Sequence, residues 1–185
     1  YLPFDQLPNS SNPEQGWIAT ANQAVTALNN PNPLTADWDV PTRYDRIVQL
    51  INAKSTFDLE YMKTMQGDTL SLGATPLLEL FKSSKTTHPL RAKTLDLIQK
   101  FDGNMSADSP GALIFNAWAD HLTRNVFSRL SYLFFDDYGA RNFRYPLIAI
   151  LQNPNNPWCD LPKTPAIETC AESSNIALDR ALEYL

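Results

Sequence analysis

An asparagine at position 22 follows a short apolar run, residues 17–21, in the segment NPEQGWIATAN. A carboxamide held at the end of a strand can donate its NH2 hydrogens to a developing oxyanion, an interaction worth roughly 3 kcal/mol where it operates. Asparagine also favours turns, in which its side chain bonds the nearby backbone. The local sequence therefore leaves two interpretations of Asn22 open, an oxyanion donor and a turn residue.

Arg46 is the second arginine of RYDRI, where apolar residues recur at helical spacing on the adjoining face. Its guanidinium carries five donors, which could anchor a carboxylate or brace a neighbouring amide such as that of Asn22. Arginines at a helix edge are more often exposed or paired with an acid. The spacing does not decide between these roles.

Residues that would complete a hydrolytic triad are scarce, since the chain has only 2 histidines. His88 precedes a proline, which favours extended backbone, and His121 adjoins an apolar helical stripe, so we interpret both as structural. Ser10 or Ser11 could act as a nucleophile only at a newly exposed amino terminus, where the α-amine serves as base. Nothing in the sequence marks a cleavage there.

Two pairs of acids could in principle act as an acid and a base. Asp37 and Asp39 form one pair, and Asp136 and Asp137 form the other. Adjacent acids in a strand or helix point apart, so neither pair is a convincing catalytic couple. We interpret both pairs as solvated loop ends.

Composition excludes two classes of function. With 185 residues, 43% of them apolar, the chain is long enough for a globular core. The net charge of −5, without a run of lysine or arginine, is against nucleic-acid binding. No stretch approaches the roughly 20 apolar residues that a membrane span needs.

The two cysteines, Cys159 and Cys170, bracket a loop in WCDLPKTPAIETC. In an exported protein they would pair, which would stabilise the fold by roughly 3 kcal/mol on the chain-entropy model. Two unpaired core cysteines are the alternative. A zinc site is disfavoured because neither histidine stands at a ligand-like spacing from either cysteine.

The entry region should contain one strand and a loop. Residues 17–21 have the length and the β-leaning composition of a strand. Three prolines exclude a helix from residues 28–42, LNNPNPLTADWDVPT, which we predict to be an ordered loop. A fold with one or two short strands at its amino-terminal end follows.

The rest of the chain should be helical, with six or seven helices, because apolar residues recur at spacings of three and four. Ser71 is the predicted cap of a third helix that Pro76 would bend, and Ser109, followed by Pro110, is the predicted cap of a long one. The predicted helices cover residues 43–53, 59–66, a segment carrying 77–81, 90–101, a long segment from 110, 143–151 and 167–185.

Five stretches, taken in order, resemble one family. In this chain, NPEQGWIATAN is similar to the family's Asn-Pro…Gly-aromatic-Ile-Ala…Asn segment, and RYDRIVQLI resembles its arginine-bearing helix. Three later stretches of this chain also resemble family motifs: MQGDTLS, FDGNMSADSPGALIFNAW and WCDLPKTPAIETC. The family is the penicillin acylase group of N-terminal-nucleophile amidohydrolases, and the cysteine-bearing loop is nearest to acyl-homoserine-lactone and aculeacin-type acylases. Phe101 and Leu161 depart from the family pattern at structural positions, where tryptophan and an acid are common.

The resemblance implies that the chain is an internal segment of the β chain of a longer enzyme, an α+β αββα sandwich that cleaves itself to expose a catalytic serine. That serine would attack an amide carbonyl, and the acyl-enzyme would then be hydrolysed. The motif match places the oxyanion donor at Asn22 and its supporting arginine at Arg46. It places Ala21 where benzyl-penicillin acylases carry a bulky aromatic beside the acyl pocket. The 185 residues alone, without the serine, should be inactive.

The resemblance also leads us to expect two regions: residues 1–41, with the strand, the loop and the oxyanion asparagine, and residues 42–185, the helical part. The implied partners are the remaining segments of the same acylase, its α chain and the rest of its β chain, and a small N-acyl substrate: an acyl-homoserine lactone, a β-lactam or a lipopeptide side chain. Exposed apolar surface would favour self-association. We expect a periplasmic or secreted location. No cofactor or metal is assigned, although some relatives bind calcium through an acid near the position of Asp37.

A helical binding or structural domain without catalytic function is the competing interpretation. A Gly-Ser-Asn-type cleavage junction upstream in the complete protein would favour the enzyme, and its absence would favour the binding domain.

Overall fold

A computed structural model of the chain describes residues 2–27, 29–130 and 144–185, the last range without the side chain of Arg144. The chain separates into two compact units, Tyr1–Asp68 and Thr69–Leu185. The described residues contain seven α-helices and a single β-bridge, between Leu70 and Asn104, which confirms the expected mainly helical fold. The helices are α1 (Thr42–Asn52) and α2 (Leu59–Gln66) in the first unit, and α3 (Leu78–Ser83), α4 (Arg91–Lys100), α5 (Pro110–Val126), α6 (Arg144–Leu151) and α7 (Cys170–Tyr184) in the second.

Helix α2 occupies its predicted range, and α1 begins and ends one residue before its predicted range of 43–53. No residue of either helix is buried. Asp58 caps α2, because its carboxylate accepts the backbone N–H of Tyr61 at 2.7 Å. The Tyr61 hydroxyl donates to the carbonyl of Leu50 at 2.6 Å. The first turn of α2 is therefore tied to the last turn of α1 by a hydrogen bond.

The predicted strand at residues 17–21 is wrong. Burial alternates along this stretch as in a strand, with Ile18 and Thr20 exposed and Ala21 buried. A strand, however, is defined by its ladder of hydrogen bonds to a neighbour. No backbone N–H or C=O of residues 18–20 is bonded to another described residue. Residues 29–41 form turns and irregular backbone, which confirms the predicted loop for the described part of that segment.

An aromatic cluster forms the centre of the second unit. Phe81, Phe115 and Trp118 are fully buried, and their ring centroids lie 4.9 to 5.6 Å apart. Ring pairs of this kind contribute about 0.5–1.5 kcal/mol beyond the burial of their area. The indole Nε1–H of Trp118 donates to Ser174 in α7, so the largest core side chain leaves no unpaired polar atom.

Helix α5 packs along α7. Ser109 caps α5, since its hydroxyl accepts the N–H of Ala112 at 3.2 Å, and Pro110 occupies the first turn, which confirms the predicted start. The buried face of α7 carries small side chains at Ser173 and Ala177. Side chains of this size let two helix backbones approach closely, which explains why this pair forms the main helix contact of the unit.

The third helix begins later than predicted. Ser71 does not cap it; a turn of 3₁₀-helix, Thr75–Leu77, comes first and α3 starts at Leu78. Pro76 lies in that turn and does not bend an α-helix. Proline lacks an N–H and is tolerated in a first turn, so the chain places it where no intrahelical donor is lost.

The last helix begins at Cys170, three residues after its predicted start at residue 167. Thr169 and Glu172 form a capping box, in which each side chain accepts the other residue's backbone N–H. These reciprocal bonds satisfy two amides that have no partner inside the helix. The described part of helix α6, Arg144–Leu151, lies within its predicted range of 143–151. Asp136 and Asp137 lie outside the described residues.

Cys159 and Cys170 form a disulfide bond, which confirms the predicted pairing. Both cysteines are buried. Inside the loop that they close, the carboxylate of Glu168 accepts the N–H of Leu161 and the hydroxyl of Thr164, each at 2.9 Å. The bonds from Leu161 and Thr164 lower the pKa of Glu168, although its burial opposes the shift.

We predict that Glu168→Gln destabilises the chain by about 1 kcal/mol near pH 7, because a neutral amide replaces an ionised acceptor. A carboxylate whose pKa is lower in the folded state stabilises the fold above its unfolded-state pKa, about 4.3 for glutamate. That contribution is lost as the pH falls through the folded pKa. Urea unfolding at about pH 7 and about pH 3 should therefore show a difference between the two proteins that shrinks at the lower pH.

The exposed acid Asp96, which pairs with Lys100 on the surface of α4, provides the control. Asp96→Asn should change the free energy of unfolding by less than about 0.5 kcal/mol at either pH. An equal destabilisation by Glu168→Gln at both pH values would contradict the role of the ionised carboxylate.

Candidate functional site

Asn22 has an uncommon backbone conformation, with φ at +66°. Few residues other than glycine adopt this left-handed region, and asparagine is among those that tolerate it best. The carbonyl of Asn22 accepts the N–H of Asp39 at 3.0 Å. This bond joins the residue to the end of the proline-rich loop, so the unusual backbone is held from outside its own turn.

The side chain of Asn22 is held by Arg43. Nη2 of Arg43 donates to Oδ1 of Asn22 at 2.7 Å, to the carbonyl of Ala21 at 3.0 Å and to Oδ2 of Asp39 at 3.0 Å. A guanidinium only donates hydrogen bonds, so the atom that faces it must be the amide oxygen. The amide nitrogen, Nδ2, is thereby oriented away from Arg43.

Nδ2 of Asn22 donates to no residue in the described ranges, and the side chain is exposed. A fixed amide with its oxygen occupied and its NH2 available is a preorganised donor, which is the arrangement that stabilises a developing negative charge. Asn22 lies in a bend of the backbone, and its side-chain oxygen accepts from Arg43 and not from the nearby backbone. The geometry thus combines a bent backbone with a donor side chain.

Arg46 is directed elsewhere. Its Nε and Nη2 donate to the two carboxylate oxygens of Asp68 at 2.9 and 2.6 Å, and its Nη1 donates to Gln49 at 3.1 Å. The hydrogen bond to Asp68 raises the pKa of Arg46, against a smaller effect of burial. The structure therefore does not bring Arg46 to the amide of Asn22, and its predicted catalytic role stays a prediction.

Sequence reasoning missed Arg43, although it is the first arginine of RYDRI. It lies three positions before Arg46, which places the two side chains on neighbouring parts of the helix surface about one turn apart. Arg43 is also in the first turn of α1, the end that follows the loop to Asn22. This position near the end of the loop was the sequence signal that could have identified Arg43 as the partner of Asn22.

Ala21, the predicted pocket residue, is the only buried residue among the described residues of the first unit. Its N–H donates to Oε1 of Gln23 at 2.7 Å, and its carbonyl accepts from Arg43. Both backbone groups of Ala21, the residue before Asn22, are therefore fixed by hydrogen bonds. Its role beside an acyl pocket stays a prediction.

A cleft of about 450 Å³ lies in the first unit, which is within the usual range for ligand sites. Its lining includes no acidic or basic side chain. Residues on both sides of Asn22 in sequence, Thr20 and Gln23, contribute to it, as do Ser10, Trp17, Ile18 and Tyr44.

The two histidines have structural contacts. Nδ1 of His88 accepts the N–H of Leu90 at 3.3 Å, at the start of α4. The ring of His121 lies edge-on to Tyr184, and burial lowers the pKa of His121.

Asp39 accepts from Arg43 and from the N–H of Val40, so it is a bonded loop residue. The structure assigns no contact to the carboxylate of Asp37. In the part of the chain that the structure describes, no group of three or more potential metal ligands comes together. Nor is any described helix long and apolar enough to cross a membrane.

The comparisons with known proteins agree with the resemblance seen in the motifs. The sequence model of the family described as penicillin amidase matches residues 1–185. The chain belongs to the penicillin amidase family.

Curated relatives are acylases at modest identity. An acyl-homoserine lactone acylase QuiP of Pseudomonas aeruginosa is 29% identical over 134 residues, 65% of this chain and 16% of the relative. The penicillin acylase 2 proenzyme of Pseudomonas sp. SE83 is 31% identical over 130 residues, 70% of this chain and 17% of the relative. QuiP of Pseudomonas fluorescens Pf-5 is 29% identical over 139 residues, 68% of this chain and 16% of the relative. The chain thus spans about a sixth of the length of these relatives.

We predict that Arg43→Ala releases the side chain of Asn22, because the variant loses the donor on its oxygen. Two-dimensional NMR should show the two Nδ2 hydrogens of Asn22 moving toward the shifts of a free, solvent-exchanging amide. Arg43→Lys, which keeps a charged donor, should shift them less. Unchanged Asn22 side-chain signals in Arg43→Ala would contradict the contact.

Proposed function

We propose that the chain is a segment of an amidohydrolase that cleaves N-acyl amide bonds, the linear C–N bonds that link an acyl group to an amine. The acylase relatives and the family membership support an amidohydrolase. In the proposed reaction a serine oxygen, supplied from outside these 185 residues, bonds to the amide carbonyl carbon. The C–N bond breaks and the amine leaves with a proton; water then releases the acid and restores the serine.

In this proposal Asn22 stabilises the tetrahedral oxyanion through Nδ2. The observation that carries the proposal is the bond from Arg43 Nη2 to Asn22 Oδ1, at 2.7 Å, which sets the amide with its NH2 outward. Carbonyl oxygen becomes negatively charged only as the tetrahedral species forms, so a donor fixed beforehand favours that species over the substrate. Arg43 is the supporting group on this geometry, and Arg46 contributes from a greater distance.

The substrate in this proposal is uncharged near Asn22. The cleft that Thr20 and Gln23 help to line carries aromatic, aliphatic, amide and hydroxyl groups, which suit a neutral N-acyl group better than an anionic one. Asn22 and Ala21 are near it in sequence but are not part of the lining. Acyl-homoserine lactones, which appear in the names of several relatives, fit this description. A β-lactam or lipopeptide side chain is the alternative amide, and the relative from strain SE83 is named a penicillin acylase.

The proposed partners are the other segments of the same acylase. Apolar side chains of the first unit are exposed, among them Ile18 at 63% and Leu59 at 70%, while only Ala21 is buried in its described part. Exposed apolar surface of this kind is typical of a contact with another polypeptide segment. The relative from strain SE83 is named a proenzyme, which is consistent with further segments in the complete protein. In isolation the same surface would favour self-association. A periplasmic or secreted location, where the disulfide would persist, completes the proposal.

The second candidate function is a non-catalytic helical domain. The second unit favours it, because that unit has a closed aromatic core of its own and holds neither Asn22 nor Arg43. The predicted inactivity of the 185 residues alone agrees with either function. The two are separated by the activity of a complete protein with and without Asn22.

We predict that removing the side chain of Asn22 in the complete acylase lowers kcat about a hundredfold with little change in KM. Two variants are needed because the positive φ strains any residue with a Cβ. Asn22→Ala removes the amide and adds strain, whereas Asn22→Gly removes the amide without it. Steady-state kinetics should give similar losses of kcat for both, and thermal unfolding should show the glycine variant near the parent. A kcat within threefold of the parent in both variants would contradict the oxyanion role.

We also predict that Ala21 sets the accepted length of the acyl group. In the complete acylase, Ala21→Phe should lower kcat/KM for a decanoyl amide about tenfold relative to an acetyl amide, because the ring takes up space beside the proposed pocket. Ala36→Phe, at an exposed alanine that does not line the cleft, is the matched control. A parent enzyme that hydrolyses acetyl and phenylacetyl amides but not long-chain ones would overturn this prediction.

A further inference from the structure

Arg46 and Asp68 join two sequence motifs that are 22 positions apart, RYDRI and MQGDTLS. Nε and Nη2 of Arg46 face the two oxygens of Asp68 at 2.9 and 2.6 Å, a parallel two-bond geometry. The side chains are only 24% and 19% exposed. Pairs with this geometry and partial burial are more rigid than single surface ion pairs.

This ion pair matters for the position of helix α1, because α1 has no fully buried residue and no side-chain cap at its start. Two other polar contacts hold the ends of α1. The Tyr61 hydroxyl binds its last turn, and Arg43 binds its first turn to Asn22. Apolar side chains of α1 such as Ile47 and Val48 are half-buried, so the polar contacts at its two ends add directional anchors to a partly buried face.

Arg43 and Arg46 are one helical turn apart on α1. Movement of α1 at Arg46 therefore displaces the guanidinium of Arg43, and with it the amide of Asn22. A misplacement of about 1 Å at a reacting centre can reduce the rate about a hundredfold. Side chains that act on a reaction centre depend in this way on the groups that fix their scaffold.

We propose that Asp68 is a positioning residue for Asn22: it fixes α1 through Arg46, and α1 presents Arg43 to the amide. This inference rests on the proposed function of Asn22 and gives the Asp of MQGDTLS a role in the same site. It also assigns Arg46 an indirect role, exerted through the helix.

The test is a double-mutant cycle in the complete acylase, with Asp68→Ala, Asn22→Gly and both changes together. Asp68→Ala alone should lower kcat about tenfold and leave KM within about twofold. In the Asn22→Gly background the same change should lower kcat less than twofold, because no amide remains to be positioned. A general loss of structure would instead lower kcat by the same factor in both backgrounds.

Two further variants guard against misfolding and against a nonspecific charge effect. Asp68→Glu keeps the carboxylate and should retain kcat within about threefold of the parent. Glu60→Ala removes the exposed pair with Lys63 in the same unit, 2.8 Å in length, and should leave kcat unchanged. If Asp68→Ala does not fold, Arg46→Lys replaces it in the cycle, since lysine keeps the charge but not the two-bond geometry.

The outcomes separate this inference from the proposed function. A kcat unchanged by Asn22→Gly overturns the oxyanion role and this inference with it. A large loss in Asn22→Gly, with kcat unchanged in Asp68→Ala, overturns the role of Asp68 alone. Equal losses in both backgrounds of the cycle also overturn it. A loss of kcat confined to the background that contains Asn22 supports it.

Discussion

Hydrogen bonds from two guanidinium groups organise the first unit, whose described residues bury only Ala21. One nitrogen of Arg43 binds the backbone of Ala21 and the side chains of Asn22 and Asp39, which gathers a turn and the end of a loop at one point. A nonpolar core would resist displacement through many small contacts. In the first unit a few directional hydrogen bonds resist displacement. The resulting geometry is specific, but the loss of a single donor such as Arg43 would release several groups at once.

The second unit is built on the opposite principle. Phe81 packs edge-to-face against Phe115, and both rings meet Trp118 at tilted angles. Helix α7 presents small side chains to α5. Several polar groups in this interior are hydrogen-bonded: Ser84 and Ser174 share a hydrogen bond of 2.6 Å, and Asn125 donates to the carbonyl of Ser173. The unit therefore accounts for its own stability without any residue of the candidate site.

Local sequence was sufficient where local forces decide. Apolar spacing located the helices, and the pair Ser109 and Pro110 located the start of α5, because a cap acts within one turn. It failed at residues 17–21, whose composition favours a strand but whose backbone needs a neighbour that the sequence does not specify. It also did not identify Arg43, because the bond from Arg43 to Asn22 spans 21 positions and periodicity carries no information at that range.

The positive φ of Asn22 restricts which residues can serve at that position. Glycine adopts this backbone but has no donor, whereas glutamine has the donor on a longer side chain that does not favour this backbone. Aspartate tolerates the backbone, yet its carboxylate would face Arg43 with one oxygen and a developing negative charge with the other. If the amide acts on an oxyanion, asparagine meets both demands, the left-handed backbone and the side-chain donor. Replacing it with glycine, glutamine or aspartate would then cost either the backbone conformation or the donor.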